Sequence, residues 1–476
     1  MLFNSLGFAV FFVIVFSLYI SFNHKWQNRM LLVASYVFYG AWDWRFLSLI
    51  FISTVLDYVC GLKIYESRDA GRRKLFLFIS VFGNLSILGF FKYFDFFAAN
   101  LAALLGYFGI SAHPHLLRII LPIGISFYTF QTMSYTIDIY RKEMEPTRKF
   151  FDLALFVAFF PQLVAGPIER ARHLLPQILS PRKFGLEKFY EGCYLISWGL
   201  FQKMVVADNL AKIVDPVFAG APPYNGAKVL LALYAFAFQI FCDFAGYSNI
   251  ARGLGKCMGF DIMLNFNLPY FAVNPREFWR RWHISLSTWL RDYLYISLGG
   301  NKRGALITYR NLAITMLLGG LWHGAAWTFV IWGAYHGFLL IIHRLSGPLL
   351  AKIPLPRHVF AQKIWLFVKI VFFFNIVCLG WLIFRAQSMT QAFQMFRGLI
   401  FNFRIASGLG LLVAFQGIVG AVWFLFLMQI FQFAKKDLFF IFKYNWFLQG
   451  VVYFMIFFLL VTFGAGGENE VVYFQF

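Results

Sequence analysis

The stretch Gly7-Phe8-Ala9-Val10-Phe11-Phe12-Val13-Ile14-Val15-Phe16-Ser17-Leu18-Tyr19-Ile20-Ser21-Phe22 is an apolar run that contains no charged side chain. It lacks the basic segment that precedes the core of a cleaved signal peptide and lacks a small-residue cleavage site. Lys25 and Arg29 follow it instead. Because Lys and Arg favour the cytoplasmic side of a membrane, the run predicts a retained first span with the N-terminus outside.

The rest of the chain has the same apolar character. Its 476 residues are 60% hydrophobic, 21% aromatic and 13% charged, whereas soluble domains contain about 25% charged residues. Apolar runs continue from end to end, and no polar half could form a separate soluble domain. We therefore expect a single integral-membrane domain over residues 1–476, with an all-α, polytopic fold.

Several of the apolar segments are shorter than the roughly 20 residues that a straight transmembrane helix needs. Irregular backbone at membrane depth must be enclosed by protein or must line a cavity, and Leu121–Ser126 is one candidate for it. We expect about 11 to 13 transmembrane or re-entrant helices around an internal cavity. The segments that follow the first are 30–42, 46–62, 75–91, 94–110, 117–136, 150–168, 188–206, 228–251, 307–323, 326–342, 364–385, 409–433 and 449–465.

The charge that remains is strongly basic, with 42 Lys and Arg against 21 Asp and Glu. Membrane topology explains such an excess, because basic residues gather in cytoplasmic loops. A second interpretation is attraction of a polyanionic substrate, such as a nucleotide-bearing cofactor, or of anionic lipid. The basic residues are scattered between spans, which argues against a nucleic-acid partner. The cysteines lack metal-ligand or disulfide spacing, so we predict no metal site.

A histidine interrupts the apolar segment Leu317-Leu318-Gly319-Gly320-Leu321-Trp322-His323-Gly324-Ala325-Ala326-Trp327. Gly320 and Gly324 bracket it with the small-residue spacing that allows another helix to approach closely. Ionisable residues inside spans face the protein interior or water and are functional candidates. An imidazole can accept a hydroxyl proton and return it to a leaving group, as acyl transfer requires. The alternative is a packed histidine that bonds a neighbouring carbonyl.

Residues 276–296 place two kinds of side chain on opposite faces of a predicted helix. Such a basic amphipathic helix is typical of a membrane interface, and Pro275 fits its N-terminus. It is either a surface anchor or a site at which a thioester with its phosphates binds around His283. The aromatic and aliphatic stripe is Phe278, Trp282, Leu286, Trp289, Tyr293 and Ile296, and the other face is Arg276, Arg280, His283, Ser287 and Arg291.

Two carboxylates also lie in apolar segments. Asp243 and Tyr247 are one helical turn apart. The pattern favours a structural ion pair of Asp243 with a basic residue, with substrate binding as the alternative. Asp57 stands alone, and no role is assigned to it. No GxSxG, HExxH, P-loop or dinucleotide motif occurs, so the motifs of soluble enzymes are absent from the sequence.

The stretch Glu277–Tyr293, followed by Gly319-Gly320-Leu321-Trp322-His323-Gly324, resembles the membrane-bound O-acyltransferase family, and within it the bacterial alginate O-acetylase branch. The signature region is about 240–345, and the likeness covers most of residues 1–400 and weakens beyond them. Further matching stretches are Leu121–Phe127, Phe160–Pro167, Asp243–Ser248 and Asn265–Tyr270.

This resemblance implies helices around a central tunnel in a bacterial cytoplasmic membrane, with acetyl-CoA entering from the cytoplasm. His323 matches the family's near-invariant histidine, and His283 matches a second signature position. We expect His323 to act as general base or transient acyl carrier and His283 to orient the thioester or stabilise the oxyanion. Arg276, Arg280, Arg291, Trp322 and Asp243 are the candidate substrate-binding residues.

The resemblance further implies that the acetyl group passes to an extracytoplasmic acetyltransferase- or esterase-like partner and then to a polysaccharide, with alginate biosynthesis as the leading expectation. Three alternatives stay open from the sequence. They are O-acetylation of peptidoglycan, D-alanyl transfer to teichoic acid, and a transporter or flippase that uses the same tunnel. The lack of an internal repeat argues against the transporter.

Overall fold

The computed structural model describes residues 1–111, 116–117, 119–350, 352, 356, 358–405 and 409–465. Every regular element in these ranges is a helix, which confirms the predicted all-α class. The helices form two compact units. Unit 1 comprises Met1–Cys193 and Ala251–Met263, and unit 2 comprises Tyr194–Ile250 and Leu264–Phe476. The single domain expected over residues 1–476 stays a prediction.

The α-helices follow the apolar segments of the sequence. In chain order they are α1 Leu6–Ser21, α2 His24–Asp43, α3 Leu47–Glu66, α4 Ala70–Leu88, α5 Phe94–Tyr107, α6 Ile125–Tyr140, α7 Phe150–Ala158, α8 Phe160–Leu163, α9 Ala171–Leu179, α10 Leu186–Leu200, α11 Asp208–Phe218, α12 Gly226–Cys257, α13 Pro275–Arg281, α14 Ile284–Trp289, α15 Ala305–His323, α16 Trp327–Leu350, α17 Val359–Arg385, α18 Met389–Phe401, α19 Leu409–Lys435 and α20 Trp446–Phe463.

Seven helical segments in the described part of the chain are long and apolar enough to cross a membrane. Two of them, His24–Glu66 with 43 residues and Ala70–Tyr107 with 38, exceed the length of one straight span. The shorter apolar helix α1 adds 16 residues. These helices confirm the polytopic membrane class, whereas the expected number of 11 to 13 helices and the tunnel stay predictions.

Unit 1 contains the irregular backbone that the sequence predicts before α6. Gly124 adopts a φ of 78°, and α6 begins only after it, at Ile125. A side chain at position 124 would collide with the carbonyl of Leu163, so glycine is required there both for its backbone angle and for its size. Within the predicted segment 117–136, residues 119–124 are therefore non-helical and a buried helix follows them.

Unit 2 contains a helical hairpin in which α15 and α16 pack against each other through glycines. A Cβ on Gly320 would collide with the carbonyl of Phe329, and one on Gly333 would collide with the carbonyl of Met316. The close approach expected around Gly320 is thus made by α16. Because the contact lies one turn before the end of α15, it fixes the position of His323.

Candidate active site

His323 is the last residue of α15, because Gly324 takes extended backbone and ends the helix. Its side chain is 5% exposed and is surrounded by aromatic rings. The ring centroids of Trp322, Trp332 and Phe384 lie 5.1, 5.0 and 5.5 Å from that of His323. These rings fix the orientation of the imidazole and shield it from bulk solvent.

His323 also lines a cavity of about 750 Å³ within unit 2. Four arginines line the same cavity, namely Arg276 and Arg280 on α13, Arg291 after α14 and Arg344 on α16. Guanidinium groups bind phosphates with paired, charge-assisted hydrogen bonds. The cavity therefore combines a group that can move protons with a surface suited to a phosphorylated substrate.

Four further residues line this cavity that were not predicted from the sequence. Arg344 and His343 line it from α16, and Trp279 and Trp332 form aromatic walls. The sequence does contain a signal for Arg344 and His343. His343 follows His336 by seven residues within α16, which puts both histidines on one helical face, and the charged Arg344 interrupts the apolar run there. The tryptophans carried no such signal, because aromatic residues are abundant throughout the chain.

The prediction of a single amphipathic helix over residues 276–296 is wrong. Helix α13 ends at Arg281, and Trp282 is extended. His283 takes left-handed backbone with φ 42° and ψ 56° before α14 begins, and residues 290–295 form a π-helix. A non-glycine residue in this conformation costs about 1–2 kcal/mol. Neighbouring interactions must stabilise the break.

Asn265 provides those interactions from an adjacent loop. Its carbonyl accepts a hydrogen bond of 2.9 Å from the amide of Ile284. Its side-chain Oδ1 accepts one of 2.6 Å from the Ser285 hydroxyl and lies 3.3 Å from Nδ1 of His283. Its Nδ2 donates to the hydroxyl of Ser248 at 3.0 Å. The helix breaks because a tertiary partner satisfies the backbone groups at the break.

As a result, His283 does not lie on the arginine-rich face on which the predicted helix placed it. Its side chain is fully buried, with its ring edge-on to Phe244 at 4.7 Å and to Trp322 at 5.8 Å. The ring centroids of His283 and His323 are 6.5 Å apart. Trp322 contacts both imidazoles and connects the two candidate histidines, although neither His283 nor Trp322 is among the cavity-lining residues.

The aromatic stripe of the predicted anchor is also not a lipid-facing surface. Phe278 and Trp282 are fully buried, and Trp289 and Tyr293 are nearly so, whereas Ile296 is 55% exposed. The break at His283 turns the stripe into the protein, where Trp282 packs against Phe278 and Trp381. The sequence left a surface anchor and a thioester site as alternatives for this segment. The burial of its aromatic side chains contradicts the anchor, whereas Arg276, Arg280, Ser287 and Arg291 share the cavity.

Asp243 lies in a buried ion-pair cluster and is not among the residues that line the cavity. Its Oδ1 is 2.7 Å from the Lys203 ammonium, which also lies 2.9 Å from Asp208. Lys203 belongs to a π-helical segment, Phe201–Ala207. This arrangement supplies the basic partner that the sequence favoured for Asp243.

Among the residues that the structure describes, no group of three or more His, Cys, Asp or Glu side chains is arranged to hold a metal ion. The cavity itself presents imidazole, guanidinium and indole groups.

Comparison with known proteins identifies relatives over most of the chain. Residues 145–384 match the model of MBOAT, the membrane-bound O-acyltransferase family. The chain is 46% identical to the probable alginate O-acetylase of Azotobacter vinelandii, over 83% of this chain and 77% of that protein. It is likewise 46% identical to the probable alginate O-acetylase of Pseudomonas aeruginosa, over 84% of this chain and 75% of that protein. This chain is also 36% identical to the peptidoglycan O-acetyltransferase of Helicobacter pylori, over 79% of this chain and 74% of that protein.

Proposed function

Because the chain belongs to the membrane-bound O-acyltransferase family, we propose that it moves an acetyl group from cytoplasmic acetyl-CoA through the His323 cavity to an extracytoplasmic acceptor. The protein is an O-acetyltransferase of the alginate O-acetylase type. The proposed parts are the donor, the route and the acceptor. The donor and the route are supported by the presence of two imidazoles, those of His323 and His343, and four arginines in a single cavity.

In the proposed reaction, His323 acts as general base. It takes the proton of the attacking hydroxyl as the oxygen forms a bond to the thioester carbonyl carbon. The carbon–sulfur bond then breaks, and the proton passes to the departing CoA sulfur, which leaves an ester and free CoA. General acid–base catalysis of this kind contributes about 10²–10⁴-fold in rate. Transient acetylation of His323 itself is the alternative form of the same transfer.

The remaining candidate residues have supporting roles in this proposal. Arg276, Arg280, Arg291 and Arg344 bind the phosphates of CoA, because a guanidinium group pairs with phosphate in two parallel hydrogen bonds. His283 does not line the cavity, so in this proposal it positions His323 through Trp322, whose ring contacts both imidazoles, in place of the thioester or oxyanion role expected from the sequence. Donor entry from the cytoplasm requires that the arginine side of the cavity face that compartment of a bacterial cytoplasmic membrane.

The proposed acceptor is a polysaccharide of the alginate type, reached through an extracytoplasmic acetyltransferase- or esterase-like partner. The identity to two probable alginate O-acetylases supports it. A second candidate acceptor is peptidoglycan, supported by the 36% identity to a peptidoglycan O-acetyltransferase. O-acetyl content measured separately on polymannuronate and on peptidoglycan, in cells that express the chain with each partner type, discriminates between the two.

The central experiment is a thiol-release assay in detergent with acetyl-CoA, purified protein, the extracytoplasmic partner and a polymannuronate acceptor that supplies the attacking hydroxyl. The wild type should release CoA, and His323→Ala should lose release while remaining monodisperse. His358→Asn is the matched control, because His358 is exposed and caps α17 with a side-chain acceptor that asparagine retains. Undiminished release by His323→Ala would refute the assignment of the base. If the wild type released no CoA, a transporter would be favoured. If adding an excess of D-alanyl carrier protein suppressed the release of CoA, D-alanyl transfer from that carrier would be favoured.

A further inference from the structure

Unit 2 contains a second cavity, of about 720 Å³, that shares no lining residue with the His323 cavity. It is a groove bounded by α11, the first turns of α12 and the N-terminal half of α19. Its walls are mostly apolar, as at Ile213, Val217 and Leu231. None of the residues placed in the proposed transfer reaction contributes to it, so the groove needs a separate explanation.

The space in the groove exists because α19 presents small residues along it. Gly410, Ala414, Gly417 and Ala421 recur at intervals of three or four residues, so they lie on one helical face and line the groove. Gly420 lines it as well, and a Cβ built there would meet no atom within 4 Å. The lining of α19 from Gly410 to Trp423 extends for about 20 Å at 1.5 Å per residue.

The groove also carries positive charge. Lys212 on α11 and Lys228 on α12 both line it and are exposed. Asn209 is a third polar lining residue, and its Oδ1 accepts a hydrogen bond of 2.9 Å from the Lys212 ammonium. No carboxylate is among the lining residues. The nearby carboxylate of Asp215 is engaged with Arg385 at 2.9 Å.

We propose that this groove binds a phospholipid with an anionic headgroup, whose acyl chain lies along the small-residue face of α19 and whose phosphate contacts Lys212 and Lys228. The groove runs along a helix that is long and apolar enough to span the membrane, so lipid is the apolar molecule available to it. Its length exceeds half of a hydrocarbon core of about 30 Å. The two lysines favour an anionic over a zwitterionic headgroup, because basic side chains attract anionic lipids.

The test is native mass spectrometry of delipidated full-length protein titrated with phosphatidylglycerol or with phosphatidylcholine of the same acyl chains. Phosphatidylglycerol should bind more tightly. The double variant Lys212→Gln/Lys228→Gln should weaken phosphatidylglycerol binding about tenfold and remove the headgroup preference. Gly420→Leu, which fills the groove, should reduce binding of both lipids.

Two matched controls separate groove effects from general ones. Lys435→Gln removes an exposed lysine from the other end of α19, and Gly450→Leu adds the same side chain at an exposed glycine of α20 where a Cβ meets no atom within 4 Å. Both should bind lipid as the wild type does. Equal binding of the two lipids by the wild type, or equal loss in the test and control variants, would overturn the proposal. Melting temperatures of all variants establish that they are folded.

Discussion

Two regions of the protein bury polar groups among apolar helices in different ways. In unit 1, the carboxylate of Asp57 is 1% exposed. It accepts hydrogen bonds from the Ser80 hydroxyl at 2.5 Å and from the Asn84 amide at 3.0 and 2.9 Å. The Ser80 hydroxyl also lies 2.8 Å from that of Thr136, and the Asn84 side chain accepts from Ser53 at 2.6 Å. This cluster joins α3, α4 and α6, and its hydrogen-bonding groups satisfy each other.

The His323 cavity in unit 2 has the opposite character. It has an open volume of about 750 Å³, its lining includes four arginines, and no carboxylate is among the lining residues. Arg291 pairs with the neighbouring Asp292 at 2.6 Å, and the cavity as a whole still presents an excess of positive charge to an open space. Such an excess suits the binding of an external anion, whereas the Asp57 cluster needs nothing beyond its own side chains. Burial of an ionisable group in a membrane helix therefore does not by itself indicate a reaction site. The proposal for His323 rests instead on an open volume and an excess of positive charge beside an imidazole.

Replacement of the proposed base should reduce activity more than any other change considered for these two regions. His323→Gln keeps a hydrogen-bonding side chain of similar reach but cannot act as a base near neutral pH. The rate of acetyl transfer should fall by about 10²–10⁴-fold, and the melting temperature should stay close to that of the wild type. CoA release and thermal unfolding measured on the same preparation check both parts. A loss of activity that merely follows a loss of folded protein would contradict the catalytic role.

The converse experiment acts on unit 1. Asp57→Ala leaves the Ser80 and Asn84 donors buried without their acceptor, which should destabilise the fold by about 3 kcal/mol. The melting temperature should fall clearly, while the rate per folded molecule changes less than twofold. Glu66→Ala is the control on the same helix, because Glu66 forms an exposed pair with Lys63 at 3.5 Å and such pairs contribute little. Equal melting temperatures for the two variants would show that the cluster does not stabilise the protein.

Sequence periodicity and hydropathy predicted the helices well, because the apolar segments 307–323, 326–342 and 364–385 correspond to α15, α16 and α17. The histidine of α15 was likewise a recognisable exception within an apolar run. Both the helices and the exceptional histidine were predictable because they depend only on residues that are close together in the sequence.

The break at His283 was not predictable in the same way. A helical wheel assumes continuous helix, and residues 276–296 contain no internal glycine or proline to argue otherwise. The break depends on Asn265, which lies 18 residues earlier in the sequence and bonds to His283 and Ser285. The pairing of Asp243 with Lys203, 40 residues apart, is another long-range contact that periodicity does not reveal.

A smaller effect is expected from the arginines. The double variant Arg276→Gln/Arg344→Gln removes one cation from each of two helices that line the cavity, so the KM for acetyl-CoA should rise about tenfold with little change in kcat. The KM of the wild type should rise with ionic strength more steeply than that of the variant, because salt screens charge attraction. Arg303→Gln, at an exposed arginine that does not line the cavity, is the control. A lowered kcat at unchanged KM would assign these arginines to the chemical step instead of donor binding.

The smallest expected effect concerns how α13 presents its arginines. Asn274 caps this helix, and its Oδ1 accepts a hydrogen bond of 2.8 Å from the Glu277 amide. Asn274→Ala removes a cap that contributes about 1 kcal/mol, so the first turn, which contains Arg276, should fray. The KM for acetyl-CoA should then rise about twofold at unchanged kcat.

Two further variants decide whether that effect acts through the cavity. Asn274→Ser keeps a capping oxygen and should restore the wild-type KM. Asn445→Ala removes the equivalent cap of α20, where Asn445 accepts from the Leu448 amide at 3.0 Å, and it should lower stability without changing the KM. An equal rise of the KM in both alanine variants would mean that general destabilisation weakens donor binding. A rise in Asn274→Ala alone would mean that local helix order at α13 sets the position of Arg276 in the cavity.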